Sequence, residues 1–176
     1  MRADAQVQWI DPTPYPDRHK GRLLHLLPAG PCPATAMPYV DIRNSGPGLR
    51  SSLLPQGRVT AALVCRYGQP SPSPHPNLRL SLTRRLDSRA ARYLAARARR
   101  VPVGHPTSQP PAGCGAFADP MRVIVAFQYA GGRTVDLWLE ATACPGYEDN
   151  GSITVVEDGT LETALQRAVP GIATRT

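Results

Sequence analysis

Lysine is nearly missing from this chain: Lys20 stands alone beside nineteen arginines. The imbalance changes how the net charge of +7 is read, since that charge alone suggests a phosphate-bearing partner. Alanine, arginine, proline and glycine have GC-rich codons and lysine does not. A GC-biased genome therefore yields this composition without selection for phosphate, and a solvated surface is preferred to an anionic partner. Long apolar runs are also missing. The stretch from Val123 to Phe127 falls far short of the roughly twenty residues that a membrane-spanning helix needs. The N-terminal Met-Arg-Ala-Asp-Ala-Gln-Val-Gln-Trp-Ile has no apolar core of a signal peptide, which taken literally means cytoplasmic. No G-x-S-x-G, H-E-x-x-H or Walker-type glycine loop occurs, and no internal repeat.

There is also no C-x-x-C pair among Cys32, Cys65, Cys114 and Cys144. Structural zinc sites usually draw two ligands from one tight knuckle, so wide spacing suits two disulfides in an oxidising compartment better. On that ground secretion is preferred, with Met1 standing as a start residue in front of a mature secreted chain. Four cysteines allow three connectivities. The pairing Cys114–Cys144 with Cys32–Cys65 is favoured, because Cys114 and Cys144 leave the same end of a hairpin; Cys65–Cys144 is the rival.

What the chain does have is proline, thirteen of its twenty lying between Pro12 and Pro76. Proline fixes φ and removes a donor, so the front half reads as arms, edges and loops. Three regions are expected: an extended proline-rich arm over 1–30, a turn-rich connector over 31–57, and a compact domain over 58–172. In the arm, residues 5–10 are strand-like, with Val7 and Trp9 in period two, followed by alternating prolines. In the domain, 59–67 and 78–83 read as a hairpin around a loop at 68–77 that carries four prolines. A helix over 89–100 follows, capped by Asp87 or Ser88. Its stripe Ala91, Leu94, Ala98 and Val101 faces a core, and Arg89, Arg92, Arg97, Arg99 and Arg100 take the opposite side. Strands 121–129 and 133–142 form a second hairpin around Ala130-Gly131-Gly132. A turn at 149–152, a short strand at 153–156 and a helix at 160–169 close the chain. The fold class is α+β: an antiparallel sheet of two hairpins, one amphipathic helix packed across it, a short C-terminal helix and two disulfides.

Each reactive-looking group has a plainer explanation. Asp136 and Glu140 share a strand face about 13 Å apart, too far for the carboxylate pair of a glycosidase, so a solvated outer face is expected. His19, His25, His75 and His105 show no metal-ligand spacing. Cys65 inside a strand and Cys144 before Pro145 look like staples rather than nucleophiles. The arginine face of the 89–100 helix has only Tyr93 as a base-contacting companion, so nucleic acid is not favoured. No enzyme activity and no cofactor are expected.

Two extended features suit protein binding. Val7, Trp9 and Ile10 can add a strand to a partner's sheet, and Pro72, Pro74 and His75 stiffen a loop that can enter a cleft. The leading reading is therefore a non-enzymatic secreted interaction module, monomeric within a complex of other secreted proteins and with no membrane contact. A protease inhibitor presenting the 68–77 loop is the second class, and a cytoplasmic nucleic-acid binder using the arginine-faced helix the third.

Cys65-Arg66-Tyr67, the hairpin Phe127-Gln128-Tyr129-Ala130-Gly131-Gly132-Arg133, and Cys144 followed by Asn150-Gly151 carry a resemblance. Over residues 58–170 the chain resembles small secreted disulfide proteins of high-GC filamentous bacteria. It departs from them at Ala143-Cys144-Pro145, where Gly-Cys is the pattern. More distantly, it is similar to the adaptor subunits of secreted, umbrella-shaped toxin particles. That similarity implies a head whose N-terminal extended segment joins a lectin-like subunit to a stalk protein.

Overall fold

A computed structural model of the chain describes residues 7–8, 30–36, 48–70, 78–103, 121–141, 147–150, 152–156 and 159–172. Strands β1 (Val7–Gln8), β2 (Thr35–Ala36), β3 (Val59–Pro70) and β4 (Leu78–Leu86) precede helix α1 (Ser88–Ala98). Strands β5 (Met121–Tyr129), β6 (Thr134–Ala141), β7 (Tyr147–Asp149) and β8 (Thr154–Val156) then lead to helix α2 (Thr160–Ala168). The strands form one sheet in the order β1-β8-β7-β6-β5-β3-β4-β2, antiparallel at every pairing. The α+β class and both hairpins are therefore as expected.

The centre of the sheet is β3 and β5, joined from Val59↔Tyr129 to Tyr67↔Arg122. Each then pairs outward with its own hairpin partner: β3 with β4 through Pro70↔Leu78, and β5 with β6 through Gln128↔Thr134. The β5–β6 turn has Gly131 and Gly132 at φ of 102° and 85°. Two successive residues with positive φ match the twist of the flanking strands, and glycine adopts that backbone without a Cβ clash. β5 is buried at every position from Met121 to Phe127. Such a strand is covered on both faces, which explains its nearly continuous apolar run.

Both helices lie against one face. Asp87 caps α1, its carboxylate accepting from the backbone N–H groups of Arg89 (2.9 Å) and Ala90 (2.8 Å). The stripe Ala91, Leu94, Ala95, Ala98 and Val101 packs with Leu161, Ala164 and Leu165 of α2 on Val64, Val125, Phe127, Val135, Leu137 and Leu139. Alanine at three of the five stripe positions lets helix and sheet approach closely. Leu49, Leu53 and Leu54 of the turn-rich connector also belong to this core. Asn150 fastens them there: its amide nitrogen donates to the carbonyls of Leu49 (2.9 Å), Ser52 (3.0 Å) and Leu53 (3.1 Å). Its amide oxygen accepts from the backbone N–H groups of Ser152 and Ile153. The turn expected at 149–152 is thus also the clamp on a distant segment.

The opposite face differs from the expectation of a solvated surface. Asp136 is fully buried and Trp138 is 2% exposed. Leu63, Cys65, Tyr67, Leu78, Ile124, Ala126 and Trp138 form a second apolar cluster with Cys32. The alternation in β6 looks amphipathic when read alone. Across the ladder, however, Asp136 meets Ala126 and Trp138 meets Ile124, and those residues in turn neighbour Leu63 and Cys65. The neighbours make that face a core layer, and β6 follows them.

One disulfide, Cys32–Cys65, is present among the described residues. It overturns the rival pairing of Cys65 with Cys144. Cys114 and Cys144 lie outside the described residues. No described helix is long and apolar enough to cross a membrane.

Candidate functional site

The arginine side of α1 is not the uniform solvated face that its periodicity suggests. At about 100° per residue, Arg89, Arg92 and Arg100 point away from the sheet, whereas Arg97 and Arg99 fall on opposite flanks of the buried stripe. A long side chain on a flank reaches sideways to the next element. Arg99 reaches toward the connector, where its guanidinium donates to the carbonyls of Pro55 (2.9 Å) and Gly57 (2.8 Å) and lies 5.9 Å from the ring centroid of Tyr129. The Tyr129 hydroxyl donates to the same Pro55 carbonyl at 3.0 Å. Arg99 therefore belongs to the fold, a correction to its placement on the free face. Arg92 donates from Nε to the Ser88 carbonyl one turn back.

Arg97 reaches the other way, toward α2. With Tyr93 it forms one wall of an open groove of about 440 Å³, whose other wall is Gly159, Thr160, Thr163, Ala164 and Arg167. Tyr93 and Arg97 are four residues apart, and their side chains meet, the guanidinium 5.5 Å from the ring centroid. Thr160, Thr163 and Arg167 share one face of α2 by their spacing of three and four. Leu161 and Leu165 hold the adjacent face in the core. Gly159 takes the N-cap position with φ of 81°, and no side chain caps the first turn of α2. The groove thus offers guanidinium, hydroxyl and backbone N–H donors. It can bind an anion, but among the described residues its walls carry no carboxylate, imidazole or thiol to move a proton or attack a substrate.

On the second face, Tyr67 and Trp138 are buried with no partner for the phenol hydroxyl or the indole N–H among the described residues. Burial alone holds the Tyr67 hydroxyl far above its usual pKa. Tyr129 is raised as well, mainly by burial, with Arg99 pulling the other way. No cluster of three or more histidine, cysteine or acidic side chains suited to a metal occurs among the described residues.

Among the described residues, those singled out in the sequence are not brought to one place. Val7 belongs to β1, paired with Val155 of β8. Cys32 and Cys65 join the segment after the arm to the middle of β3. Around that bond, Thr35 and Ala36 pair with Arg79 and Leu78, and Arg85 donates to the Gly30 carbonyl at 3.0 Å. Trp9, Ile10, Pro72, Pro74, His75 and the other three histidines lie outside the described residues. Thr160, Thr163 and Arg167 were missed. Their spacing was readable, but nothing local says that their face meets Tyr93 and Arg97.

No protein-family model matches this chain, and neither a curated protein nor a solved structure was found to be similar to it. The reading of function rests on the geometry.

Proposed function

We propose that the protein is a non-enzymatic, secreted interaction module, an adaptor or subunit of an extracellular multiprotein assembly, with its N-terminal arm supplying the contact. The observation that carries this reading is the position of residues 7–8. β1 is the terminal strand of the sheet, paired with β8 on one side and with no strand on the other among the described residues. A partner strand added at that edge continues the ladder, its backbone hydrogen bonds giving affinity and alternate side chains giving specificity. The disulfide supports an oxidising location, where such bonds form and persist.

The test is a pull-down from culture supernatant of the source organism. The bait is the full chain beside a version lacking residues 1–27 and beside Val7→Pro, which disrupts the short strand without shortening the chain. A stoichiometric partner held by the full chain and lost from both variants is the expected result. Equal capture by all three, or none by any, removes the reading. Inhibition of a protease by the full chain, abolished by shortening the 68–77 loop, replaces it with the inhibitor class.

A further inference from the structure

We infer that the groove between α1 and α2 is a carboxylate-recognition site that docks an acidic peptide segment of a partner protein. The inference takes from the proposed function only that the partner is a protein; the surface is separate from the arm. Arg97 and Arg167 face one groove from two helices. Neither side chain has an ion pair or a hydrogen bond among the described residues. Two like charges held across one groove leave a local positive potential that an anion offsets. The acid closest in sequence, Glu162, is buried and accepts from Gln166, and it takes no part in the groove lining.

The geometry favours a carboxylate. Stacking on Tyr93 orients the Arg97 guanidinium and leaves its N–H edge free for the two oxygens of one carboxylate. The hydroxyls of Thr160 and Thr163 lie on the same wall as Arg167. Nucleic acid fits less well. Its bases need an open aromatic face for stacking, and Arg97 already occupies the ring of Tyr93. A strand of phosphates also needs a row of free cations, and Arg99 is committed to the Pro55 and Gly57 carbonyls. Two convergent guanidinium groups match one or two acidic side chains of a short peptide.

The experiment measures fluorescence anisotropy of a labelled glutamate-rich peptide, its glutamine counterpart and a single-stranded oligonucleotide with the full, oxidised chain. Arg97→Gln, Arg167→Gln and the double variant are compared with Arg89→Gln, which removes one exposed charge outside the groove. The glutamate peptide is expected to bind and the glutamine peptide not to bind, with affinity falling as salt is raised. Each groove variant weakens binding by about tenfold and the double variant abolishes it, while Arg89→Gln changes it less than about twofold. Equal losses from Arg89→Gln and the groove variants overturn the site in favour of a diffuse positive field. Tighter oligonucleotide binding with the same sensitivity to Arg97 and Arg167 overturns the choice of ligand, and no binding of any probe overturns both. Removing residues 1–27 leaves peptide binding intact, so failure of the arm contact and failure of the groove are separable.

Discussion

Tyr67 and Tyr129 show how one side chain couples burial to pH. Both phenols have raised pKa values because burial disfavours the phenolate, an effect that Arg99 partly offsets at Tyr129. A folded-state pKa above the unfolded value means that the folded chain holds the proton more tightly. Their contribution is fully present below the ordinary tyrosine pKa of 10.0 and is lost as pH rises from there through the folded values. Tyr67 has a further property: its buried hydroxyl donates to no described residue. Replacing such a group by its apolar isostere is close to neutral or stabilising. Tyr67→Phe is therefore expected to match or exceed the parent chain in urea midpoint at neutral pH. Between about pH 9 and pH 11 it should lose stability less steeply. A variant that loses stability at neutral pH would mean that the hydroxyl has an acceptor in solution.

At the scale of elements, α1 is the part that local rules predict best. Its apolar stripe, Asp87 cap and stop before Pro102 all lie within one short window, and the helix runs from Ser88 to Ala98. Asp87→Ala leaves two first-turn N–H groups without their acceptor and is expected to cost about 1 kcal/mol. Thermal unfolding checks this, and Asp87→Asn should recover most of the loss. β5 and α2 were equally readable, since a continuous apolar run and a helical stripe need no distant information. β2 and β7 are not readable as strands, because two or three residues carry no period; they form by pairing with distant strands, β2 with Arg79 and Leu78 of β4, and β7 with Trp138 and Leu139 of β6 and with Thr154–Val156 of β8. The buried second face was missed for the same reason: Asp136 looks solvated until Ala126 and Leu63 lie beside it. Half of the candidate groove was likewise visible. Tyr93 and Arg97 stand four apart in the sequence, but pairing them with Thr163 and Arg167 depends on both helices docking on the same sheet face.

At the scale of the whole molecule, Cys32–Cys65 connects a region of weak local structure to one of the two central strands, β3. The bond closes a separation of 33 residues and ends at Cys65, which is fully buried. Apart from it, residues 30–36 are held by the two-residue pairing of β2, by the Leu80 N–H bonded to the Ala34 carbonyl at 2.9 Å, and by Arg85 on the Gly30 carbonyl. Those few bonds hold a segment that the proposed function makes the root of a partner-binding arm. Loop-closure entropy for a cross-link of this span gives about 3–4 kcal/mol of stabilisation. Cys32→Ser is therefore expected to lower the unfolding free energy by about that amount. Hydrogen exchange then tells where the loss falls. If the bond serves mainly to hold the arm, the Leu80 amide loses protection in Cys32→Ser while the amides shared by β3 and β5 keep theirs relative to global unfolding. If protection falls evenly from β4 to β5, the bond instead holds the central strand in place, and the arm must take its anchorage from the β1–β8 edge alone.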